Sequence, residues 1–176
     1  YRTIRANGFW TPPEPFIPGG IDITLSPDGQ RMYYCSRYPH PGDQKVKADH
    51  DIWVRERNND GWGPARPLAA ELNSEQDEFY PMATSSGNLY FCRRRVEGDN
   101  TLYRSEIRNG TVTPPEKLPS AINSGHKDSD PYISPDEAIL IFNSNRPGGY
   151  GGDDLYISFR DDQGKWSLAQ NLGPSV

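Results

Sequence analysis

The chain has 176 residues, enough for one domain, and its 17 glycines and 17 prolines are many for a helical protein yet too few to indicate disorder. The formal net charge is −5 and no basic stripe is present, which argues against nucleic-acid binding. No apolar run approaches the 18 residues that a membrane-spanning helix needs, so no membrane span is expected.

The sequence repeats itself with a period of about 50 residues. Residues 72–81 return as residues 122–131, and both carry an aliphatic residue, Asn-Ser, an acid at the seventh position and Pro at the tenth. Residues 1–16 overlay residues 103–118 without a gap. A fixed period of this length indicates a stacked array of one supersecondary unit.

Each repeat contains four short runs rich in aromatic and β-branched residues, bounded by Gly, Pro, Asp or Asn, which is typical of β-strands. In the last repeat we predict strands at residues 130–133, 138–143, 154–160 and 166–172. No segment keeps a 3.6-residue period, so almost no helix is expected. Four antiparallel strands per repeat predict an all-β fold made of β-propeller blades.

The blade count is incomplete for a closed propeller. We predict a single domain with a partial blade and three full blades, at residues 1–19, 20–72, 73–122 and 123–176. Natural propellers have four to eight blades, and open sheet edges invite pairing with other chains. The expectation is therefore either a missing remainder of the propeller or a homo-oligomer that closes the edges.

The ordered frame Trp-x-x-Pro-x-x-Leu, Leu/Ile-Asn-Ser, acid-x-x-Pro, Ser-Pro-Asp-Gly and Leu-Tyr-Phe with a terminal Arg resembles the PD40 repeats, which are the WD40-like β-propeller repeats of TolB-type exported proteins. Residues 145–156 are especially similar to the segment that precedes the third strand of such repeats. The resemblance covers nearly the whole chain. It implies a periplasmic or extracellular propeller that contacts a protein, a cell-envelope component or a polysaccharide.

Two departures from the repeat frame are where a specific site could have been added. The second blade has Thr84-Ser85-Ser86 where Ser-Pro-Asp is usual, and the first has a long polar insertion at residues 38–50. The insertion and the loop at residues 146–153 occupy the same place in their blades. The candidate binding residues in these loops are Tyr38, His40, Asp43, His50, Arg146, Tyr150 and Asp153.

A recurring acid and a recurring arginine predict one carboxylate–guanidinium lock per blade. The acids are Glu78 and Asp128, and the arginines are Arg37, Arg95 and Arg146. Repetition in step with the fold favours a structural role, and the alternative is a ring that binds anions.

A hard cation is the one cofactor that the residues suggest, because calcium takes six to eight oxygen ligands. The candidate ligands are Asp49, Asp51, Asp128, Asp130 and Asp153. No EF-hand spacing is present, and the competing interpretation is that these acids cap turns or pair with arginines. The three histidines form no cluster, so zinc is not expected.

Catalysis is not expected within this chain. It has neither the Gly-x-Ser-x-Gly nucleophile elbow nor a Walker A loop. The leading hypothesis is a non-catalytic binding or scaffolding module of an exported protein. The alternatives are a self-assembly subunit that closes blade edges between chains, and the propeller part of a polysaccharide-active enzyme or a peptidase.

The two cysteines, Cys35 and Cys92, occupy equivalent positions in adjacent blades. A disulfide needs Cα atoms within about 7 Å, closer than equivalent positions in packed neighbouring blades usually come. Two free, buried thiols are therefore predicted.

Overall fold

A computed structural model describes residues 1–94, 100–108 and 110–176, and these residues form strands, turns and loops without a helix. The strands in chain order are β1 (Arg5–Ala6), β2 (Phe9–Trp10), β3 (Ile21–Leu25), β4 (Arg31–Ser36), β5 (Asp51–Asn58), β6 (Gly61–Trp62), β7 (Arg66–Pro67), β8 (Asp77–Ala83), β9 (Asn88–Arg94), β10 (Asn100–Arg108), β11 (Thr111–Val112), β12 (Glu116–Lys117), β13 (Asp128–Ile133), β14 (Ile139–Ser144), β15 (Asp154–Phe159) and β16 (Gln170–Asn171).

The strands form three antiparallel sheets and one hairpin. Blade 1 has the order β3-β4-β5-β6 with β7 also paired to β5, and blade 2 repeats this as β8-β9-β10-β11 with β12 paired to β10. Blade 3 is β13-β14-β15-β16, and the hairpin β1-β2 precedes blade 1. The predicted all-β fold of propeller blades is confirmed. Among the described residues, no helix offers the length and apolarity that crossing a membrane would require.

The first strands of the three blades, β3, β8 and β13, pack side by side. Each has a bulge at the same position, where Asp22, Tyr80 and Asp130 adopt φ values of 51°, 52° and 52°. A left-handed conformation is uncommon for residues other than glycine. Its recurrence shows that the inner strands bend at one level, where the three blades meet.

The hydrophobic core lies between the blades. One cluster joins blades 1 and 2 and includes Ile52, Leu72 and Phe91, while a second joins blades 2 and 3 and includes Tyr90 and Phe142. The blades therefore stack through side chains, and blade 2, which lies between the other two, contributes to both clusters. Cys35 lies in the first cluster and Cys92 in the second, which confirms the prediction of two free, buried thiols.

A buried asparagine joins each of the first two blades to the linker that follows it. The Asn73 side chain accepts a hydrogen bond from the Ile52 backbone N–H and donates to the backbone carbonyls of Ile52 and Leu68. Asn123 makes the same three bonds in blade 2. The repeated Asn of the sequence frame thus bonds to the third strand of the preceding blade, one residue beyond the point where that strand pairs with the fourth strand.

The fourth strand predicted at residues 166–172 is not continuous. Only Gln170–Asn171 forms a strand, and Trp166 makes an isolated bridge to Arg160. The Ser158 hydroxyl donates to the Ser167 carbonyl at 2.7 Å, so a side chain takes the place of a ladder bond. The fourth strand is broken in the same way in blades 1 and 2, where it is split into two short pairs.

Candidate functional site

In blade 3 the predicted acid and arginine come together. Arg146 Nη2 donates to Asp128 Oδ1 at 2.7 Å and to the Ile122 carbonyl at 2.6 Å. The guanidinium lies 4.6 Å from the ring centroid of Tyr156, and the Ser124 backbone N–H donates to the same carboxylate. The arrangement is a buried link between the linker and the second strand, since Asp128 is only 1% exposed.

Blade 2 builds the equivalent link with a different arginine. Arg93 Nε donates to Glu78 Oε1 at 2.7 Å, and its Nη2 donates to the Leu72 carbonyl at 2.7 Å. Its guanidinium lies 4.9 Å from the centroid of Tyr103. Glu78 and Arg93 are directly opposite each other in the β8–β9 register, which explains why this arginine reaches the acid. Arg95, the residue assigned to this role from sequence, lies outside the described residues.

In blade 1 the predicted alignment of Arg37 with Arg146 is wrong by one residue. Ser36 pairs with the first residue of β5, just as Ser144 pairs with the first residue of β15. The Tyr38 N–H donates to Ser36 Oγ at 3.2 Å, and the Arg146 N–H donates to Ser144 Oγ at 3.2 Å. Tyr38 therefore occupies the position that Arg146 holds in blade 3.

Arg37 consequently forms no acid–arginine lock. Its Nε donates to the Lys47 carbonyl at 2.9 Å, and within the described residues it makes no ion pair. The position of the acid in blade 1 is held by Gly20, because the linker between residues 16 and 21 is shorter than its two counterparts.

The insertion at residues 38–50 folds back onto a buried acid. Asp51 is fully buried, and its Oδ2 lies 2.5 Å from Lys47 Nζ and 2.6 Å from His40 Nε2. Lys47 Nζ is also 3.1 Å from Asp49. Burial opposes the charge of Lys47, but the two carboxylates raise its pKa above the usual value. The ammonium group thus lies where a cation bridging Asp49 and Asp51 would have to bind.

A polar cluster that we call the axial mouth lies where the three inner strands bulge. It consists of Asp22, His50, Asp77, Tyr80, Arg94, Lys127, Asp130 and Asp153. The first strands supply its centre, and the loops before the third strands of blades 1 and 3 supply His50 and Asp153 at its rim.

The centre of the axial mouth joins the three blades. The Tyr80 N–H donates to Asp22 Oδ2 at 3.4 Å, and the Asn143 side-chain amide donates to Asp130. Burial, followed by the charge and hydrogen bond of Asp130, raises the pKa of Tyr80 to about 12. Burial, together with the nearby charge of Asp130, also raises the pKa of Asp22. Tyr80 therefore presents a neutral hydroxyl near neutral pH.

The rim of the axial mouth is a set of ion pairs. His50 Nδ1 lies 2.8 Å from Asp77 Oδ1, and Arg94 Nη2 lies 2.6 Å from Asp77 Oδ2. Burial opposes the charge of Asp77, but its bonds to His50 and Arg94 lower the pKa of this carboxyl. On the blade 3 side Lys127 pairs with Asp153.

The remaining loop candidates lie elsewhere. Tyr150 is 66% exposed, and its backbone N–H donates to Asp154 at 3.0 Å. Asp43 is exposed on the insertion, where its N–H donates to the His40 carbonyl at 2.9 Å. The structure thus brings only His50 and Asp153 of the predicted loop residues to the mouth.

The five predicted calcium ligands do not converge. They are held separately by Lys47, by Arg146 with two serines, by Asn143 and by Lys127. Throughout residues 1–94, 100–108 and 110–176, no three His, Cys, Asp or Glu side chains form a group that could hold a metal ion.

Sequence reasoning missed Glu137, whose buried carboxylate accepts hydrogen bonds from five side chains. It is 5% exposed and left-handed, with φ of 63°, in the turn where the frame has glycine. Its Oε1 accepts from the Thr84 and Ser86 hydroxyls of blade 2, and its Oε2 accepts from Tyr90 at 2.8 Å and Arg160 at 2.9 Å. The sequence held a clue to this contact, since residues 84–86 and Glu137 both depart from the Ser-Pro-Asp-Gly frame of the repeat. In the structure these two altered turns contact each other.

Comparison of the whole chain with solved structures places these features on a known scaffold. No protein-family model and no curated protein matches the sequence. The structure is similar to a protein assigned as TolB from Agrobacterium tumefaciens, with a TM-score of 0.56, 19% identity and coverage of 85% of this chain and 47% of that chain. The chain has a TolB-like β-propeller fold.

Two further solved structures have the same likeness. TolB from Acinetobacter baumannii matches with a TM-score of 0.54 and 15% identity, covering 87% of this chain and 32% of its own. A Mycobacterium tuberculosis peptidase that hydrolyses puromycin matches with a TM-score of 0.58 and 17% identity, covering 88% of this chain and 23% of its own. The chain therefore spans less than half the length of each of these structures, and at these identities the likeness concerns the fold.

Proposed function

We propose that this chain is a non-catalytic binding module of an exported protein and contacts a protein or cell-envelope partner through the axial mouth. The observation that carries the proposal is the convergence of polar side chains from all three blades on one surface. The Tyr80 hydroxyl and the Asp22 and Asp130 carboxylates lie there side by side. Surfaces assembled from loops on a rigid scaffold are common places for binding residues.

The chemistry of the mouth favours binding over turnover. Asp77 is paired with Arg94 and hydrogen-bonded to His50, and Tyr80 has a raised pKa, which makes it a poor nucleophile near neutral pH. Such groups offer hydrogen bonds and charge to a partner. Export is supported by the resemblance of the repeats to those of TolB-type exported proteins.

Site-specific photo-crosslinking tests the proposal. A photoreactive phenylalanine replaces Tyr80 in one variant, and in the control it replaces Gln163, which is exposed in the turn between the third and fourth strands. That turn lies at the opposite end of the blades from the axial mouth. The probes are the soluble envelope proteins and the purified peptidoglycan of the source organism.

We expect a discrete adduct from the Tyr80 position with one of these probes and none from the Gln163 position. The adduct should weaken when Asp22→Asn and Asp130→Asn are combined with the photoreactive residue, because the partner then loses the adjacent carboxylates. Equal labelling from both positions, or no adduct from Tyr80, would contradict the proposal.

Self-assembly is the second candidate function, and exposed apolar strand faces favour it. Ile21, Ile23 and Leu25 of β3 are 43–50% exposed, and Phe159 of blade 3 is 47% exposed. If chains pair through these faces, light scattering should show a dimer or larger species at micromolar concentration. Ile23→Lys should return it to a monomer, and a monomeric wild-type protein would exclude this function.

A further inference from the structure

A second polar surface lies apart from the axial mouth, in a groove between blades 2 and 3. The groove encloses about 390 Å³ and is lined chiefly by Arg104, Lys117, Ala121, Arg160, Lys165 and Trp166. The blade 2 side comes from the third and fourth strands, and the blade 3 side comes from the turn and bridge that follow β15.

Positive charge dominates the lining, although the chain carries a net charge of −5. Four of the lining side chains are cationic, and the acid among them, Glu116, is 77% exposed and 3.7 Å from Arg104. Lys117 and Lys165 form no ion pair within the described residues. Two ammonium groups are therefore available to a ligand without breaking an existing pair.

The two guanidinium groups of the groove are held in place from behind. Glu137 lies 2.9 Å from Arg160 Nη1 and 3.6 Å from Arg104 Nε, and Arg104 Nη2 donates to Glu106 Oε1 at 3.1 Å. Arg160 Nε also donates to the Gly164 carbonyl at 3.1 Å, and its guanidinium lies 5.8 Å from the Trp166 ring centroid. Fixed guanidinium groups recognise carboxylate and phosphate with less loss of conformational entropy than free ones.

This charge is not needed to pack two blades together. The strand registers make Val54 equivalent to Arg104, and Ile107 equivalent to Arg160. At the interface between blades 1 and 2, Val54 belongs to the apolar cluster and the half-buried Ile107 packs against it. Arg104 Nε, in contrast, is buried without a hydrogen-bond partner among the described residues.

We propose that this groove binds an oxyanion, a phosphate or carboxylate, carried on a small organic frame such as a sugar. The two lysines contact the anion, the two arginines position it, and Trp166 and Ala121 border the apolar part of the ligand. The proposal does not depend on the axial mouth, because the groove shares no residue with it.

Titration of the isotopically labelled protein followed by NMR tests the proposal. The probes are glucose 6-phosphate, glucuronate, inorganic phosphate and neutral glucose. The indole N–H signal of Trp166 reports on the groove, and that of Trp53 in blade 1 serves as an internal control. The variant Lys117→Ala/Lys165→Ala removes two exposed charges, and Arg5→Ala/Lys45→Ala removes two exposed charges elsewhere.

We expect one or both charged sugars to shift the Trp166 signal, with about a tenfold or larger loss of affinity in the lysine variant and none in the control variant. Binding should also weaken as the ionic strength is raised from about 0.05 M to about 0.5 M. The two sugars together distinguish a phosphate ligand from a carboxylate ligand.

Three results would overturn the proposal. The first is no shift of Trp166 with either charged sugar. The second is equal binding of glucose, which would show that charge is not recognised. The third is inorganic phosphate that binds as tightly as both charged sugars, which would reduce the groove to a site for an adventitious anion only.

Discussion

The two interfaces between complete blades are closed by opposite chemistry. At three equivalent positions the first interface has Val54, Gly87 and Ile107, and the second has Arg104, Glu137 and Arg160. The backbone arrangement is the same in both. One fold therefore accepts either an apolar contact or a buried ionic network at the same place.

The difference shows that the ionic network has to be explained by more than packing. Removing charged groups from water costs free energy that their mutual attraction only partly returns, so a buried network is weak evidence of added stability. At Glu137 the hydrogen bonds outweigh burial, because Ser86, Tyr90 and Asn88 together lower the pKa of its carboxyl. The network holds two arginines at the edge of a groove, whereas Val54 and Ile107 stand at the equivalent positions of the apolar interface.

The largest effect is expected from breaking the network on one side only. Glu137→Ala would leave Arg160, Tyr90 and Asn88 without their shared partner, and we expect a loss of about 3–5 kcal/mol in the free energy of unfolding. Urea unfolding measures it. The control is Asp136→Ala, an exposed neighbour in the same turn whose loss should cost far less. A cost below about 1 kcal/mol for Glu137→Ala would contradict the role described for the network.

The buried acid–arginine link of blade 2 should make the stability of the protein depend on pH. Burial raises the pKa of Glu78 to about 7, against 4.5 for an ordinary Glu. Between these values the folded protein binds more protons than the unfolded one, so stability should fall as pH rises, by up to about 3 kcal/mol. Glu78→Gln should flatten this dependence between about pH 5 and pH 8 in urea titrations. An unchanged slope in the variant would show that Glu78 stays charged throughout.

The smallest change in stability is expected when the second interface is converted into the first. The triple variant Arg104→Val/Glu137→Gly/Arg160→Ile places the blade 1–2 residues at the blade 2–3 positions. Apolar replacement of a buried ionic network is often neutral or stabilising. We therefore expect the free energy of unfolding of this variant to lie within about 1–2 kcal/mol of that of the wild type. Scanning calorimetry measures the stability of the variant. Loss of folding would contradict the prediction, because it would mean that the fold requires the network.

The repeated parts of this structure could be predicted from sequence because repetition reveals them. The Asn-Ser-acid frame around Asn123 and Asp128 marked the approach to the first strand of the last blade, and the alternation of short apolar runs located three of the four strands in that blade. The fourth strand was overestimated, because the hydrogen bond from the Ser158 hydroxyl to the Ser167 carbonyl, which takes the place of a ladder bond, leaves no mark in the hydrophobic pattern.

The candidate sites could not be predicted as well, since they depend on contacts between repeats. Tyr80 occupies the position that Asp22 and Asp130 hold in the other blades, but its residue type differs from theirs, and only the shared bulge shows that the three lie together. The displacement of Arg37 by one residue came from aligning arginines by type, whereas strand register aligns Tyr38 with Arg146. Glu137 was overlooked because its partners are about 50 residues away in sequence.

The buried Asn73 described above has a consequence for what counts as one unit of this protein. It belongs by sequence to the second repeat, yet its hydrogen bonds complete the first blade. A gene fragment that ends at the repeat boundary, after residue 72, would encode the first blade without the asparagine that completes its hydrogen bonds. The smallest transplantable module is therefore a blade together with the opening residues of its successor.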